Sequence, residues 1–204
     1  MDRPEWVAAN PIAVEAYCAL TNNKNRGKKP NAGGDDTSTN AVNPREANHY
    51  GQIVRWKPAD ENHAATVFTW DLYVMAGNPT AHSDAYAGSS NINEGNLFNS
   101  PDGMVFDSSG LLWIQTDGNY KNEGDFAGMG TNQMLVADPE TGEIVRCMTV
   151  PYGAEVTGLC WSADRRSMLA GIQHPKAHFP DGEGKLAPQP DVQVKRGGTV
   201  AVGA

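Results

Sequence analysis

The stretch from Ser100 to Gly118 constrains the fold more than any other part of the chain. A Pro101-Asp102-Gly103 turn leads into apolar residues 104–106, Asp107-Ser108-Ser109-Gly110 reverses the chain, residues 111–115 return, and Asp117-Gly118 ends the run. Proline, glycine and aspartate interrupt extended pairing where they stand, so this punctuation specifies one tight β-hairpin. Its first strand begins with an acid, Asp102. A carboxylate at the mouth of an apolar strand sits where sheet proteins place their chemistry.

The same pattern occurs twice more. Arg3-Pro4-Glu5 precedes an apolar strand that turns at Asn10-Pro11 and returns over 14–20 into polar Thr21-Asn22-Asn23, which makes Glu5 the positional counterpart of Asp102. A third copy pairs 155–161 with 167–173; its acid, Glu155, stands three residues before Gly158, a looser equivalence. Between these inner hairpins lie outer ones, 50–56 with 65–73 and 132–138 with 143–150, and a further edge strand is expected at 198–202. An inner hairpin followed by an outer one is a four-stranded meander, and its repetition specifies an all-β fold, a partial β-propeller. Gly103 and Gly158 lie 55 residues apart, near the roughly 40 to 50 of a propeller blade. About two to three blades are present, whereas a closed ring takes about 4 to 8, so the chain is expected to be part of a larger ring. Residues 21–49 and 76–99 are polar, lack periodicity and are expected to be long surface loops; 174–193 is a polar tail.

A formal net charge of -8 argues against a nucleic-acid partner and suits cations. No apolar run approaches the roughly 20 residues a bilayer span requires, and Met1-Asp2-Arg3-Pro4-Glu5 has neither the basic nor the apolar segment of a secretory signal. Cys18, Cys147 and Cys160 fall singly within expected strands, in no metal-ligand spacing, and are expected to be buried free thiols.

In a propeller the inner strands line a central channel. Acids at their mouths therefore converge, which brings Glu5, Asp102 and Glu155 to one site. Converging carboxylates repel unless a hard cation holds them, and an all-oxygen donor set favours calcium over zinc. Taken singly, an acid such as that of Asp102-Gly103 is more often an ordinary turn or strand-cap residue; it is the repetition that singles out Glu5 and Asp102. Arg3, two residues before Glu5, points to the same side of an extended segment, and its planar fork suits an anionic group such as phosphate. Arg45 and His174 are expected to be structural. Asp117-Gly118-Asn119-Tyr120-Lys121 begins like a calcium loop, but Lys121 stands at the third ligand position and the required glycine is missing.

Taken together, Asp2-Arg3-Pro4-Glu5-Trp6, Tyr50-Gly51-Gln52-Ile53-Val54-Arg55-Trp56, Ser100-Pro101-Asp102-Gly103, Leu112-Trp113-Ile114-Gln115-Thr116-Asp117-Gly118, Gly153-Ala154-Glu155-Val156-Thr157-Gly158 and Ile172-Gln173-His174-Pro175 resemble the carboxyl-terminal part of the PhoX-type alkaline phosphatases, over nearly all of residues 1–204. The resemblance implies a β-propeller phosphomonoesterase using calcium and iron, periplasmic or secreted, that serves phosphate acquisition by hydrolysing small phosphomonoesters. It implies that Arg3 contacts substrate phosphate as a catalytic residue, that Glu5 and Asp102 are metal ligands, and that Glu155 belongs to a recurring family motif and joins them. The family's iron-binding acids, its cysteine ligand and its export signal would lie in an amino-terminal half outside these residues. Gln52 and Gly103 depart from the histidine and asparagine of many relatives. Two other function classes fit a propeller of this kind: a calcium-dependent lactonase, which would share the Ser-Pro-Asp-Gly strand mouth but not need Arg3, and a non-enzymatic binding module.

Overall fold

The computed structural model describes residues 1–174 and the backbone of 198–203. Among the described residues, eleven strands form three antiparallel sheets. The first is a meander of β1 (Pro4–Ala9), β2 (Ala16–Leu20), β3 (Gln52–Pro58) and β4 (Phe68–Met75), and the second a meander of β5 (Pro101–Phe106), β6 (Leu112–Thr116), β7 (Gln133–Ala137) and β8 (Ile144–Thr149). The third has the order β11-β10-β9, from β9 (Glu155–Trp161), β10 (Ser167–Gln173) and β11 (Gly198–Gly203). Helix is confined, among the described residues, to three short 3-10 turns, and no helix is long and apolar enough to cross a membrane. The polar tail lies largely outside the described residues.

Two apolar cores join the sheets face to face. Tyr17, Ile53, Tyr73 and Val74 of the first sheet meet Met104, Leu112, Ile114 and Leu135 of the second. Tyr17 anchors this layer, edge-on to Tyr73 at 5.1 Å and to Phe106 at 5.2 Å between ring centroids, the arrangement that sets positive ring edges against negative faces. A second core of Met134, Val150, Val156 and Ile172 joins sheets two and three, with Trp113 edge-on to Trp161.

Residues 21–49 are not the free surface loop their composition suggests. Asn23, Arg26, Thr37, Asn43, Arg45 and Asn48 are all buried. The Arg26 guanidinium reaches Asp2 Oδ1 through Nε at 2.8 Å and Nη2 at 2.7 Å, while Asn48 Nδ2 donates to Asp2 Oδ2 at 3.0 Å and the Asp2 amide donates to Asn43 Oδ1. Arg45, structural as expected, donates to the backbone carbonyls of Gly51, Ala76 and Ala85. Polar groups are tolerated inside because most find a partner, and composition alone does not reveal partners; Asn23 Nδ2 and Arg45 Nε are exceptions. Residues 76–99 likewise carry core: Ile92, Leu97 and Phe98 are buried, and Gly77 bridges Phe98. The cysteines split. Cys18 is buried, but Cys147 and Cys160 are exposed, because they lie on outward-facing positions of β8 and β9.

The strands that carry the acids share a distortion. The β1–β2 register slips between Pro4 and Val7, the β5–β6 register between Pro101 and Met104, and the β9–β10 register at Gly158, opposite the step from Ala170 to Gly171. A bulge bends its strand and re-aims the side chains beside it. Glu5 and Asp102 lie inside their bulges, and Glu155 lies three residues before its own. The residues preceding the first two strands, Arg3 and Ser100, have φ of 46° and 54°. For non-glycine residues this left-handed backbone is a strain of order 1–3 kcal/mol, of the kind that clusters at functional sites.

Candidate metal and substrate site

Each inner hairpin brings the start of one strand against the end of the next. Pro101 pairs with Thr116, and the Asp117 amide donates to the Ser100 carbonyl at 3.1 Å, so Asp117 lies beside Asp102. In the first sheet the equivalent bond runs from the Thr21 amide to the Arg3 carbonyl at 3.1 Å. In the third, Glu155 pairs with Gln173, which places His174 at the same mouth.

The result is a carboxylate cluster. Asp102, Asp117 and Glu155 each offer an oxygen within 4.8 Å of the others. Glu155 is buried and Asp102 half-buried, while Asp117 is exposed. Burial, then the charges of Glu5 and Asp117, push the Asp102 carboxyl up to about 6, against the opposing pull of Arg3. Burial, then the charge of Asp117 and the hydrogen bond that protonated Glu155 donates to it, and the charge of Asp102, push Glu155 up to about 7. Both shifts have one meaning: negative charge has been collected where water cannot fully solvate it. Glu5 stands at the rim, close enough for its charge to raise Asp102 but outside the tight triad.

Arg3 lies beside this cluster with its side chain 59% exposed. Its Nη2 is 3.4 Å from Glu5 Oε1, on the same side of the strand, and its Nη1 donates to Asn22 Oδ1 at 3.1 Å. Asn22 in turn donates through Nδ2 to Ser100 Oγ, which donates to Asn99 Oδ1 at 3.0 Å. This relay ties the guanidinium to the mouth of β5. Asn132 ties the other two acids: its Oδ1 accepts from the Gly118 amide at 2.7 Å and from Thr116 Oγ1, and its Nδ2 donates to the Ala154 carbonyl at 2.8 Å. One buried amide thus holds the chain after Asp117 against the residue before Glu155. Glycine is required at 118, where a Cβ would lie 1.9 Å from Asn99 Oδ1.

Sequence reasoning named Arg3, Glu5, Asp102 and Glu155, and the structure gathers all four at one end of the sheets. It missed Asp117, read there as a strand stop, and the positioning amides Asn22 and Asn132. His174, expected to be a satisfied structural residue, is instead exposed, with its Nε2 4.0 Å from Glu155 Oε1. Gly103 has a local reason: a Cβ there would meet the buried Gln115 side chain at 2.1 Å. All the donors of the cluster are oxygens, which fits a hard divalent cation such as calcium and does not favour zinc.

A second titratable cluster, His49, His82 and Asp125, also has its donor atoms within 4.8 Å of one another. It is assembled from the loops before β3, before β5 and before β7. Burial lowers the pKa of His49.

The sequence matches the family Alkaline phosphatase PhoX over residues 1–176. A search of curated proteins found no match. Among solved structures, Pseudomonas fluorescens PhoX in complex with vanadate, a transition state analogue, overlays with a TM-score of 0.87 at 48% identity, covering 98% of this chain and 33% of that one. This chain therefore spans about a third of the length of that relative. XC5397 from Xanthomonas campestris, a gluconolactonase, overlays with a TM-score of only 0.41 at 12% identity, over 83% of this chain and 35% of that one. The family match covers most of the sequence, and nearly half the residues are shared with a solved PhoX across almost all of this chain; the chain belongs to the PhoX alkaline phosphatase family.

Proposed function

We propose that this chain forms the carboxyl-terminal blades of a PhoX-type β-propeller and supplies part of the catalytic centre of a metal-dependent phosphomonoesterase. The observation that carries the proposal is the convergence of Asp102, Asp117 and Glu155 at one strand mouth, with two of the three carboxyls raised by burial and mutual repulsion. Such a cluster is stable in its ionised form only around a cation. Asp102, Glu155 and Asp117, with Glu5 at the rim, would hold calcium; iron would be held by residues outside this chain. Metal bound there would neutralise phosphate charge and polarise a phosphoryl oxygen.

The residues of the chain do the rest. Arg3 presents free N–H groups to solvent beside the cluster, and its planar fork can take two phosphoryl oxygens at once. Asn22 fixes the plane of that fork, and Glu5 keeps the guanidinium on the cluster side of the strand. The strained backbone at Arg3 and Ser100 adds preorganisation, since the orientation is set before substrate arrives. The substrates are small phosphomonoesters, and the setting is periplasmic or secreted, as for the family the chain resembles.

The test is hydrolysis of p-nitrophenyl phosphate, compared with lactone opening, by a protein of full PhoX length carrying this sequence. Phosphate release that is lost together with bound calcium in Asp102→Ala is the expected result. Lactone opening without phosphate release would overturn the proposal, and so would full activity in Asp102→Ala.

A further inference from the structure

The His49, His82 and Asp125 cluster has a feature that ordinary hydrogen bonding leaves unexplained. His49 Nδ1 lies 3.0 Å from the Ala47 carbonyl oxygen. A carbonyl can only accept, so Nδ1 carries the ring proton and Nε2 of the neutral imidazole carries the lone pair. That Nε2 is buried and has no hydrogen-bond partner. It faces Asp125 Oδ2 at 3.6 Å, so a lone pair and a carboxylate, both acceptors, point at one another. The other oxygen, Oδ1, faces His82 Nε2, again at 3.6 Å. Two imidazole nitrogens and a carboxylate thus surround a small space that lacks a positive centre.

We propose that His49, His82 and Asp125 form a binding site for a first-row transition ion, zinc foremost, separate from the carboxylate cluster. Imidazole nitrogen with one carboxylate is a donor set that suits zinc and not calcium. In a tetrahedral zinc site with bonds near 2.0 to 2.2 Å, neighbouring donors stand about 3.3 to 3.5 Å apart. Each imidazole already stands 3.6 Å from one oxygen of Asp125, Oδ2 for His49 and Oδ1 for His82, and one donor atom of each of the three residues lies within 4.8 Å of the others. Asp125 is exposed on a 3-10 turn, Gly124–Phe126, so its carboxylate can complete the closure and water can fill the fourth position.

The surroundings are those of a prepared ligand. The bond from His49 Nδ1 to a backbone carbonyl is the outer contact that fixes the tautomer and ring direction of metal-bound histidines. His49 also stacks on Tyr86 and packs against Tyr50 and Phe126. The Tyr50 hydroxyl donates its one proton to the Asp125 carbonyl, so at 2.9 Å it accepts from His82 Nε2–H in the metal-free protein. An ion at His82 Nε2 takes the place of that proton, which moves to Nδ1 or to solvent, and the hydroxyl keeps its bond to the carbonyl. The charges of Arg45 and His82 reach His49 and oppose a cation, but the Arg45 guanidinium is engaged by backbone carbonyls, and the carboxylate of Asp125 acts on His49 in the opposite sense. An ion here would tie the loop before β3 and the loop before β5 to the turn before β7, cross-linking the first sheet to the second.

Co(II) substitution tests this on the chain in calcium-containing buffer, which occupies the all-oxygen cluster. Stoichiometric Co(II) should give the intense visible d–d absorption of a tetrahedral site, and Zn(II) should abolish it by displacement. Zn(II) should also raise Tm. The absorption should be lost in His82→Ala and in Asp125→Asn but kept in Asp102→Asn. If circular dichroism shows His82→Ala to be unfolded, the exposed Asp125→Asn decides. A folded wild-type chain with no tetrahedral absorption, or absorption that survives Asp125→Asn, overturns the proposal.

Discussion

Glu155→Gln in the metal-free chain is the most direct probe of the carboxylate cluster. Glu155 rises from an ordinary 4.5 to about 7 in the folded state, and Asp102 from 3.8 to about 6. A carboxyl whose folded pKa lies above its unfolded one binds more protons folded than unfolded between the two values. With chelator present, the contribution of these two groups to stability is therefore highest at low pH and declines as pH rises from about 4 to about 7, opposite to the usual behaviour of a salt-bridged acid. Each pKa unit is worth about 1.4 kcal/mol, so full ionisation of the buried Glu155 costs up to about 3 kcal/mol above pH 7. Asp102, only half-buried, adds a smaller amount of the same sign. The neutral glutamine cannot ionise. At pH 8 in EGTA, Glu155→Gln should melt above wild type by up to roughly 6 to 12 °C, given about 2 to 4 °C per kcal/mol for a chain of this size. At pH 4 the two should coincide. Calcium at about 100 times its Kd should return about 2.7 kcal/mol to wild type and much less to the variant. Thermal melts followed by circular dichroism at pH 4, 6 and 8 provide the measurement. A difference in melting point between Glu155→Gln and wild type that stays flat from pH 4 to 8 in EGTA, or a variant less stable than wild type at pH 8, would refute the reasoning.

Two further outcomes are expected. Arg3→Ala, in the full-length context, should lower kcat/KM for aryl phosphates by roughly 2 to 4 kcal/mol while calcium stays bound, with Arg3→Lys recovering only part because it lacks the fork; unchanged kinetics would make the arginine structural. Asp2→Asn should destabilise the fold by about 3 to 5 kcal/mol in urea denaturation, because it strands the buried Arg26 guanidinium without its counter-charge; a loss below about 1 kcal/mol would mean that water relieves Arg26.

Much of the site was legible because it is written in turn punctuation. Pro4-Glu5 and Pro101-Asp102 mark strand mouths by local chemistry alone, and the repeat of that pattern implied their convergence. Asp117 carries an equal signal in the sequence. An antiparallel hairpin sets the end of its second strand against the start of its first, so an acid closing β6 must neighbour the acid opening β5. Asn132 offered no such cue: its partners, Gly118 and Ala154, become neighbours only when the second and third sheets pack. The same holds for His49, His82 and Asp125, which share no strand and no periodic spacing. The polar loop from Thr21 to His49 was misjudged for a related reason, since sequence shows that Arg26 and Arg45 are charged but not that Asp2 and three backbone carbonyls await them.

The guanidinium of Arg45 has a consequence for how the molecule breathes. By donating to carbonyls of Gly51, Ala76 and Ala85, it stands where water would otherwise solvate three segments separately. None of these segments can lift from the sheet without leaving a buried cation short of acceptors, so they open as one unit or remain closed. Amide hydrogens across both long loops are thereby coupled to the unfolding of the first sheet, and they exchange with solvent on its timescale rather than on that of ordinary surface turns.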